Sequence, residues 1–293
     1  MISNHGQPLS LALSFDLDTQ LAWTGSAHPE DLSVVSRGEF GAFALPRVLD
    51  LLRGHDIRAT FFVPGAVAVT YPDLVRAVAA GGHEVAHHGW MHERTPGLPH
   101  RRQRDAFERG LDALERLTGT RPCGYRGPAA ALSSFTLSLL REHGFSYDSS
   151  CSATDYVPYY LREGDSFGAG TPYAFGEAVD VVEIPFAWAL DDFPYVEVIP
   201  GQSSSQAPPS TMLEIWLAEL EYARRNHGGG IYTLCMHPQT IGRGRHLDLL
   251  ERFLLHVREA GSTRFEPIGE FTERWRAANP LAHWRGPGHT RAQ

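Results

Sequence analysis

The chain has 293 residues, of which 42% are hydrophobic and 20% are charged, a composition typical of a globular protein and unlike that of a disordered one. Its 26 basic and 34 acidic residues give a net charge of −8. A sequence-independent interaction with nucleic acid needs a basic surface, and so does attraction to an anionic membrane. We therefore expect neither nucleic acid nor membrane as a partner.

The amino-terminal sequence MISNHGQPLSLALSFDLD has no basic segment, and serine and aspartate interrupt its apolar stretch, so it does not resemble a secretory signal. No run approaches the roughly 20 apolar residues that cross a bilayer. The three cysteines, Cys123, Cys151 and Cys235, are sparse and odd in number, which argues against a disulfide framework. From these features we expect a cytoplasmic protein.

Short apolar runs alternate with longer amphipathic ones along the chain. The predicted strands cover 11–18, 59–65, 83–89, 123–128, 145–150, 181–187 and 231–238, with a weaker candidate at 264–268. Predicted helices, whose apolar residues recur every three or four positions, cover 40–53, 71–80, 102–118, 133–143, 211–225 and 246–260. Near-continuously apolar strands that alternate with helices predict a parallel sheet, and seven or eight such units predict a (β/α) barrel. Barrels reach this length as one domain, so we expect a single catalytic domain over 1–293.

Two stretches, 19–39 and 189–210, interrupt this alternation. Both follow predicted strand ends, where barrels carry their chemistry, and both are predicted to be loops that narrow the entrance to the site. The second is rich in proline and serine and is a candidate for a mobile lid. Barrel units continue on both sides of each stretch, so neither is interpreted as a domain boundary.

Two aspartates, Asp16 and Asp18, stand at the end of the first predicted strand. Because side chains alternate along a strand, these two point to the same face, roughly 6–7 Å apart along the chain. Two buried carboxylates require a cation or a proton to compensate them. The alternative is a solvated turn or an aspartate that caps the next helix, and the pair alone does not exclude it.

Residues 83–93, HEVAHHGWMHE, contain four histidines and two acids. His88 and His92 are four positions apart, a spacing that suits one helical face or a strand end followed by a tight turn at Gly89. Two neutral imidazoles and one carboxylate form the usual three-ligand site for Zn²⁺ or a similar cation. A lone histidine is more often structural, but this cluster follows a predicted strand, and Asp18 is a candidate third ligand. The sequence therefore predicts one divalent metal ion, with Zn²⁺ as the first expectation.

Three further segments carry candidate residues. Arg126, near the end of the fourth predicted strand, needs a carboxylate partner if it points into the barrel, and Asp16 is the expected one. His237 follows the apolar run IYTLCM, and a histidine at the carboxyl end of a barrel strand is typical of a catalytic residue. Asp191 is a candidate partner that raises the pKa of His237. Asp191 and Asp192 can also simply cap or solvate their loop, and the sequence leaves their separate roles open.

Taken in order, these segments resemble the polysaccharide deacetylase family, also called the NodB-homology family or carbohydrate esterase family 4. The resemblance covers about residues 10–270. Residues 15–18, FDLD, resemble the first family motif, and 87–92, HHGWMH, resemble the second. Residues 126–128 match part of the third motif, and 234–237, LCMH, resemble the last. The implied fold is a distorted (β/α) barrel of the NodB-homology type.

The sequence also departs from the family pattern. The third motif usually carries an aromatic residue after its proline, where this chain has Ala129, and the fourth motif is only loosely present in Trp188 and Asp191. Residues 36–40, SRGEF, together with 83–93, resemble a cytoplasmic branch of the family. That branch includes a bacterial peptidoglycan deacetylase-like protein and relatives that open cyclic imides or allantoin, and it implies a homotetramer with a rather closed site.

The resemblance implies a role for each matching residue. Asp18, His88 and His92 would bind one divalent cation, Asp16 would be the general base, and Arg126 would hold that base. His237 would be the general acid, and the oxyanion would be stabilised by the metal and by a backbone N–H that the sequence does not identify.

Three functions follow from these residues. The first is a metal-dependent hydrolase of non-peptide carbon–nitrogen bonds that removes N-acetyl groups from an amino sugar. The second is a hydrolase of small cyclic amides, of the imidase or allantoinase kind. Three tryptophans, Trp23, Trp90 and Trp188, can stack on sugar rings or on flat heterocycles and do not decide between them. The third is a non-catalytic carbohydrate-binding protein, which would be expected to lack Asp16 or His237, and both are present.

Overall fold

The computed structural model describes residues 7–23, 31–168, 170–197 and 207–286. The strands are β1 Leu9–Asp16, β2 Thr60–Val63, β3 Glu84–His87, β4 Gly124–Tyr125, β5 Tyr147–Asp148, β6 Tyr159–Glu163, β7 Ser166–Gly168, β8 Thr171–Ala174, β9 Glu177–Glu183, β10 Ile231–Met236 and β11 Thr263–Phe265. The helices are α1 Leu32–Gly54, α2 Gly65–Thr70, α3 Pro72–Ala80, α4 His100–Thr118, α5 Ser134–Glu142, α6 Phe193–Val196, α7 Pro209–Asn226, α8 Pro238–Ile241, α9 Gly244–Ala260 and α10 Ile268–Ala278. Short 3₁₀ helices cover Thr19–Trp23, Pro128–Ala130, Trp188–Leu190 and Leu281–His283.

The main sheet is built from parallel strands in the order β10-β1-β2-β3-β4-β5-β9, and β6 pairs antiparallel with β9 at one edge. β11 adds a parallel pairing at the beginning of β1, and β7 with β8 forms a separate hairpin. In the described part of the chain no pairing joins β6 to β10, so the sheet curls into a barrel that does not close. The predicted distorted (β/α) barrel is confirmed.

The central strands of the main sheet are buried because helices cover the outer face of the curled sheet while side chains fill its inner face. All eight residues of β1, LSLALSFD, are buried, as expected for a strand covered on both faces. One continuous core joins side chains of β1 to Leu52 of α1, Trp216 of α7 and Phe253 of α9. These helices thus hold β1, and with it the first pair of aspartates, in a fixed position.

The parallel register brings the carboxyl ends of the central strands to one edge. Aligned pairs at this edge are Phe15 with Met236, Asp16 with Phe62, Val63 with His87, His87 with Tyr125, and Tyr125 with Asp148. The residues that follow these strands therefore meet at the same edge of the barrel, where this fold usually carries its chemistry.

The prediction of a loop over residues 19–39 is wrong for much of that stretch. The segment Thr19–Trp23 is a 3₁₀ helix and α1 begins at Leu32, while residues 24–30 lie outside the described part of the chain. The carboxylate of Asp31 caps α1 by accepting hydrogen bonds from the Ser33 and Val34 N–H groups at 3.1 and 3.3 Å.

Two buried glycines in α1 explain why its first turns escaped the prediction. Gly38 and Gly41 interrupt the apolar periodicity, yet both face neighbouring elements at close range. A Cβ on Gly38 would lie 2.4 Å from the Cα of Gln20, and one on Gly41 would lie 3.0 Å from Oε1 of Gln239. The glycines therefore serve close packing of α1 against the segments that follow β1 and β10.

The second predicted loop, 189–210, is partly helical. It contains α6, and α7 begins at Pro209, two positions before the predicted start. Residues 198–206 of the candidate lid lie outside the described residues. The hairpin β7–β8 and the strand β6 were not predicted, and β9 begins four positions earlier than the predicted strand 181–187 because β6 pairs along it.

None of the helices in the described ranges has both the length and the apolar character needed to cross a lipid bilayer.

Candidate active site

The structure brings the sequence-predicted site residues together at the carboxyl edge of the barrel. β1 ends at Asp16, so Asp18 lies two residues beyond the strand and not within it as predicted. The Leu17 N–H still donates to the Phe62 carbonyl at 2.9 Å, which prolongs the extended conformation. Both aspartates consequently face one imidazole: Asp16 Oδ2 and Asp18 Oδ1 lie 3.6 and 3.4 Å from Nε2 of His88.

Asp18, His88 and His92 form a compact group of candidate metal ligands. One ligand atom from each lies within 4.8 Å of the others. His88 Nε2 is 3.4 Å from Asp18 Oδ1, and His92 Nε2 is 3.5 Å from Asp18 Oδ2. His88 follows β3, and the next turn returns His92 to the same place through positive φ angles of 76° at Gly89 and 61° at His92. A positive φ is costly for a residue with a Cβ, and such strain is concentrated at functional sites.

The hydrogen bonds around this group fit a bound cation. His88 Nδ1 lies 2.6 Å from the Arg126 carbonyl oxygen and donates to it, which leaves a lone pair on Nε2. Within the described residues, His88 Nε2 and Asp18 Oδ1 are buried and have no hydrogen-bond partner. Buried polar atoms without partners are rare in folded proteins, and a cation between them would satisfy both.

The charges at this group also favour a positive ion. Burial alone would raise the pKa of Asp18, but His92 and His88 outweigh burial and lower it. Burial lowers the pKa of His88, yet the charge of Asp16 and the contact with Asp18 reverse the direction and raise it. Two buried carboxylates thus draw positive charge to the centre of the site, as the sequence predicted for an aspartate pair.

The turn that carries His92 is fixed by a neighbouring acid. Glu93 Oε2 accepts hydrogen bonds from the N–H groups of Trp90 and Met91 at 3.1 and 2.8 Å. Because these donors lie between His88 and His92, Glu93 stabilises the conformation that brings the two imidazoles together.

Asp16 and Arg126 form a buried ion pair, as predicted from sequence. Arg126 Nη1 is 2.7 Å from Asp16 Oδ1, and the guanidinium lies 4.1 Å from the centre of the Phe62 ring. Burial would raise the pKa of Asp16, but the positive charge of Arg126 outweighs it, with His88 and His237 adding to the effect, so the pKa is lowered. Asp16 is therefore ionised at neutral pH, and Arg126 holds its Oδ1.

His237 is held by Asp192, whereas the sequence favoured Asp191. His237 Nδ1 lies 2.8 Å from Asp192 Oδ1, and the His237 backbone N–H donates to Asp192 Oδ2 at 3.1 Å. Asp191 Oδ1 is 3.8 Å from the same ring nitrogen and accepts a hydrogen bond from the Phe193 N–H instead. The segment is placed by a parallel bridge between Asp191 and Cys235 and by the Asp192 N–H, which donates to the Cys235 carbonyl at 3.1 Å. A sequence pattern does not contain that information.

Both acids influence the titration of His237. Burial lowers the pKa of its imidazole, but the charge of Asp191 and the hydrogen bond to Asp192 raise it well above its usual range. The pKa of Asp191 is itself raised, to about 7, first by burial and then by Asp192, although His237 opposes the rise. The other ring nitrogen of His237, Nε2, lies 3.7 Å from Asp18 Oδ2 and faces the candidate metal ligands.

Aromatic side chains cover the site beside His237. The ring of Phe193 lies 5.2 Å from the imidazole, and Trp23 lies 5.4 Å from Phe193. Arg37 of α1 stacks on Trp23 at 4.3 Å and forms an ion pair with Glu197. Segments from both predicted loops therefore meet over His237.

The other two predicted tryptophans lie elsewhere. Trp90 stacks against Arg109 of α4 at 4.2 Å and lines an outer groove of about 470 Å³ between α2, α3 and α4. Trp188 is 53% exposed and contacts Phe186 edge to face. Asp16, Asp18 and His88 do not line this groove, so we place the chemistry at the strand ends.

Sequence reasoning missed three neighbours of the Asp16–Arg126 pair. Ser14 Oγ and Ser149 Oγ each accept a hydrogen bond from Arg126 at 3.0 Å, and the Cys235 thiol lies 3.6 Å from Asp16 Oδ2. Ser14 and Cys235 occupy inward positions on the aligned strands β1 and β10, so strand alternation could have found them.

A strained turn follows Arg126. Ala129 and Ala130 have φ angles of 53° and 51°, in the left-handed region that residues with a Cβ rarely adopt. Pro128 before them packs against Gly89 in the turn between His88 and His92. The strain thus lies where the second and third sequence motifs are in contact. No sequence pattern predicted these backbone conformations.

Comparisons with known proteins show what this chain is similar to in sequence and in fold. The sequence profile of the polysaccharide deacetylase family matches residues 38–147. A peptidoglycan deacetylase of Helicobacter pylori is 30% identical over 284 residues, covering 92% of this chain and 97% of that protein. A crystal structure assigned as a polysaccharide deacetylase of Mycobacterium smegmatis is 32% identical with a TM-score of 0.81, over 93% of this chain and 92% of that one. The crystal structure of an allantoinase has a TM-score of 0.77 at 21% identity and covers 94% of this chain and 92% of that one. This similarity shows a shared fold.

Proposed function

Because this chain belongs to the polysaccharide deacetylase family, whose members hydrolyse carbon–nitrogen bonds of N-acetyl groups, we propose that it is a metal-dependent deacetylase of an amino-sugar substrate. One observation carries this proposal. Asp18, His88 and His92 converge on one point. Asp16 Oδ2 lies 3.6 Å from His88 Nε2, and His237 Nε2 lies 3.7 Å from Asp18 Oδ2, so both residues border this group.

The three converging residues would hold one divalent cation, for which Zn²⁺ suits two imidazoles and one carboxylate. When bound, such a cation polarises the substrate carbonyl and lowers the pKa of the attacking water. The orientation of His88 is set by its Nδ1–H bond to the Arg126 carbonyl, so Nε2 would be the coordinating atom.

Asp16 acts as the general base. Its Oδ1 is occupied by Arg126, so Oδ2 receives the proton as the water oxygen adds to the carbonyl carbon. Arg126 keeps Asp16 ionised and prevents rotation of the carboxylate. A general base fixed in this way typically contributes on the order of 10²–10⁴ in rate.

His237 acts as the general acid. Asp192 accepts a hydrogen bond from Nδ1, which directs the Nε2–H toward the site. Nε2 gives its proton to the leaving nitrogen as the carbon–nitrogen bond breaks, so that acetate and a free amine are released. The raised pKa of His237 keeps this proton in place at neutral pH.

A small cyclic amide is the second candidate substrate, and the cover of the site supports it. Trp23 is only 1% exposed, Phe193 lies over His237, and the Arg37–Glu197 ion pair ties the two covering segments together. Such a cover suits a compact substrate or the end of a short oligosaccharide better than the middle of a long glycan chain.

A side-by-side hydrolysis screen tests the proposal. Metal-loaded protein is incubated with acetylated chito-oligosaccharides and with cyclic imides, and the release of acetate or of ring-opened product is measured. We expect acetate release that is lost in the Asp16→Asn variant. Ring opening without acetate release would replace the amino-sugar substrate by the cyclic amide, and no turnover of either class would contradict both.

A further inference from the structure

Two buried carboxyl groups outside the catalytic set lie side by side on neighbouring strands. Asp148 of β5 and Glu183 of β9 are aligned in register, and both side chains are 0% exposed. Both accept a hydrogen bond from one donor, the Ser150 N–H, at 3.0 Å to Asp148 Oδ2 and 2.9 Å to Glu183 Oε1. Two carboxylates cannot both be ionised at such proximity in a buried environment.

This arrangement favours one proton between the two acids. Burial raises the pKa of Glu183 well above its usual range, and the neighbouring Asp148 raises it further. The oxygen Oε2 of Glu183 has no hydrogen-bond donor within the described residues, so it is the oxygen available to carry a proton. Backbone N–H groups point at Glu183 Oε1 and Asp148 Oδ2, which suits a proton shared between two acids better than a cation.

This pair fixes the segment that follows β5. The Ser150 hydroxyl donates to Asp148 Oδ1 at 2.9 Å, and the Cys151 N–H donates to Glu183 Oε1 at 2.8 Å. Together with the two bonds from the Ser150 N–H, these contacts determine the backbone conformation of residues 149–151.

The same segment holds Arg126. Arg126 Nε donates to the Ser149 carbonyl and Nη2 to the Ser149 hydroxyl, each at 3.0 Å. The next residue, Gly127, donates its N–H to the Ser150 hydroxyl at 2.8 Å. The side chain of Arg126 and the backbone after it are therefore both attached to residues that the carboxyl pair holds.

We propose that Asp148 and Glu183 act as one proton-sharing pair that positions Arg126, and through it Asp16, for catalysis. Neither acid touches the reacting atoms, so both are positioning residues. The kinetic consequence rests on the proposed role of Asp16 as general base, whereas the effect on Arg126 does not.

Three variants separate positioning from plain structural support. Glu183→Gln keeps an acceptor for the two N–H groups and supplies an amide donor in place of the protonated oxygen, whereas Glu183→Ala removes both. The control is Glu84→Ala, because Glu84 on β3 also accepts several hydrogen bonds, from Thr60 Oγ1, Gly269 N–H and the Tyr147 hydroxyl at 2.7, 2.9 and 2.9 Å, but none from Arg126 or residues 149–151.

The expected kinetics follow from the attachment of Arg126. Glu183→Ala lowers kcat by about 10–100-fold, the usual effect of removing an outer partner of a site residue, and leaves KM within about threefold. Glu183→Gln restores kcat to nearly the wild-type value. Glu84→Ala lowers the melting temperature but leaves kcat nearly unchanged. If Glu183→Ala lowers the melting temperature as Glu84→Ala does and keeps kcat, the positioning role is wrong.

Two spectroscopic measurements need no substrate. The wild-type minus Glu183→Gln infrared difference spectrum at neutral pH should contain the carbonyl band of a buried protonated carboxyl group, since other buried acids such as Asp191 contribute equally to both proteins and cancel. In ¹⁵N-labelled protein the Nε–H resonance of Arg126, assigned with Arg126→Lys, should shift in Glu183→Ala and stay in place in Glu183→Gln. The inference is overturned if the infrared band is absent or if the Arg126 resonance does not move in Glu183→Ala. If the resonance moves but the hydrolysis screen finds no turnover, only the proposed function is overturned.

Discussion

At the scale of single residues, the site depends on which atom of each side chain is already bonded. Asp16 is held through Oδ1, His88 through Nδ1 and His237 through Nδ1, and in each case the opposite atom faces the shared space. The partners are the Arg126 and Asp192 side chains and the Arg126 carbonyl, all of them buried, so the opposite atoms keep their directions. Asp16 Oδ2 also accepts a weak hydrogen bond from the Cys235 thiol at 3.6 Å. This arrangement yields three predictions for individual residues.

The first concerns metal content. We expect about one equivalent of divalent metal per chain in wild-type protein, because three ligand atoms converge within 4.8 Å. The double variant His88→Ala/His92→Ala removes two of the three ligands and should contain almost none. Elemental analysis of protein purified without chelators measures both, and equally low metal in the two proteins would contradict the site.

The second concerns the base. Asp16→Asn should fold and bind metal but lose activity by about 10²–10⁴-fold, the usual contribution of a general base. The amide cannot accept the proton of the attacking water, and it also removes the negative partner of Arg126. Metal content and melting temperature, measured on the same preparation, serve as controls. Activity within a few-fold of wild type would remove Asp16 from the mechanism.

The third concerns the acid. An acetamide nitrogen leaves poorly without a proton, whereas an imide nitrogen leaves as a stabilised anion. His237→Ala should therefore lower kcat/KM for an acetamide by about 10–100-fold more than for an imide, or about 1.4–2.8 kcal/mol of barrier. Equal losses on one substrate of each kind would mean that His237 positions substrate and that the proton comes from another group.

At the scale of elements, α1 is the structural support beneath the cover of the site. Its residue Arg37 contacts Trp23, and the neighbouring Gly38 touches the backbone of Gln20, so the helix and the 3₁₀ segment Thr19–Trp23 are in direct contact. Close backbone contact of this kind tolerates no side chain, and it fixes the distance between α1 and the residues that follow Asp18.

Gly38→Ala tests this contact. A Cβ there would lie 2.4 Å from Gln20 Cα, so α1 or the 3₁₀ segment must move, at a cost of about 1–3 kcal/mol in the free energy of unfolding. Gly54→Ala at the end of the same helix is the matched control, because a Cβ there meets nothing within 4 Å. It should leave stability unchanged or raise it by up to about 1 kcal/mol. Equal denaturation midpoints for the two variants would contradict the packing.

At the scale of the whole molecule, one described surface is unusually apolar. The hairpin β7–β8 and the residue after it expose the rings of Phe167, Tyr173 and Phe175, and Phe167 stacks on Tyr173 at 5.8 Å. Large apolar side chains that are clustered and exposed usually indicate a surface that contacts another molecule. The family branch that the sequence resembles also implies association.

We expect the protein to be a homotetramer in solution. Light scattering should give a mass close to four times 32.4 kDa. Replacing Phe167 and Phe175 by serine should lower this mass if the hairpin contributes to the contacts, whereas replacing the equally exposed Leu32 should not. A wild-type protein that is strictly monomeric at micromolar concentration would contradict association altogether.

The sequence by itself determined the barrel and most of the site. Apolar strands alternating with amphipathic helices require a parallel sheet, and the carboxyl ends of parallel strands share one edge, so Asp16, Asp18, His88, Arg126 and His237 could be assigned to one place. Strand ends are local features, and residue type and spacing identify them without knowledge of the rest of the chain.

Only the tertiary structure decided the contacts that depend on distant backbone geometry. Pairing of Asp191 and Asp192 with Cys235 of β10 accompanies the choice of Asp192 as the partner of His237. The close approach of Gly38 to Gln20 explains why a glycine lies within α1. The pairing of Asp148 with Glu183 likewise arises from register between strands that are far apart in sequence. Such choices depend on differences of one or two ångströms between elements, which residue spacing along the chain does not encode.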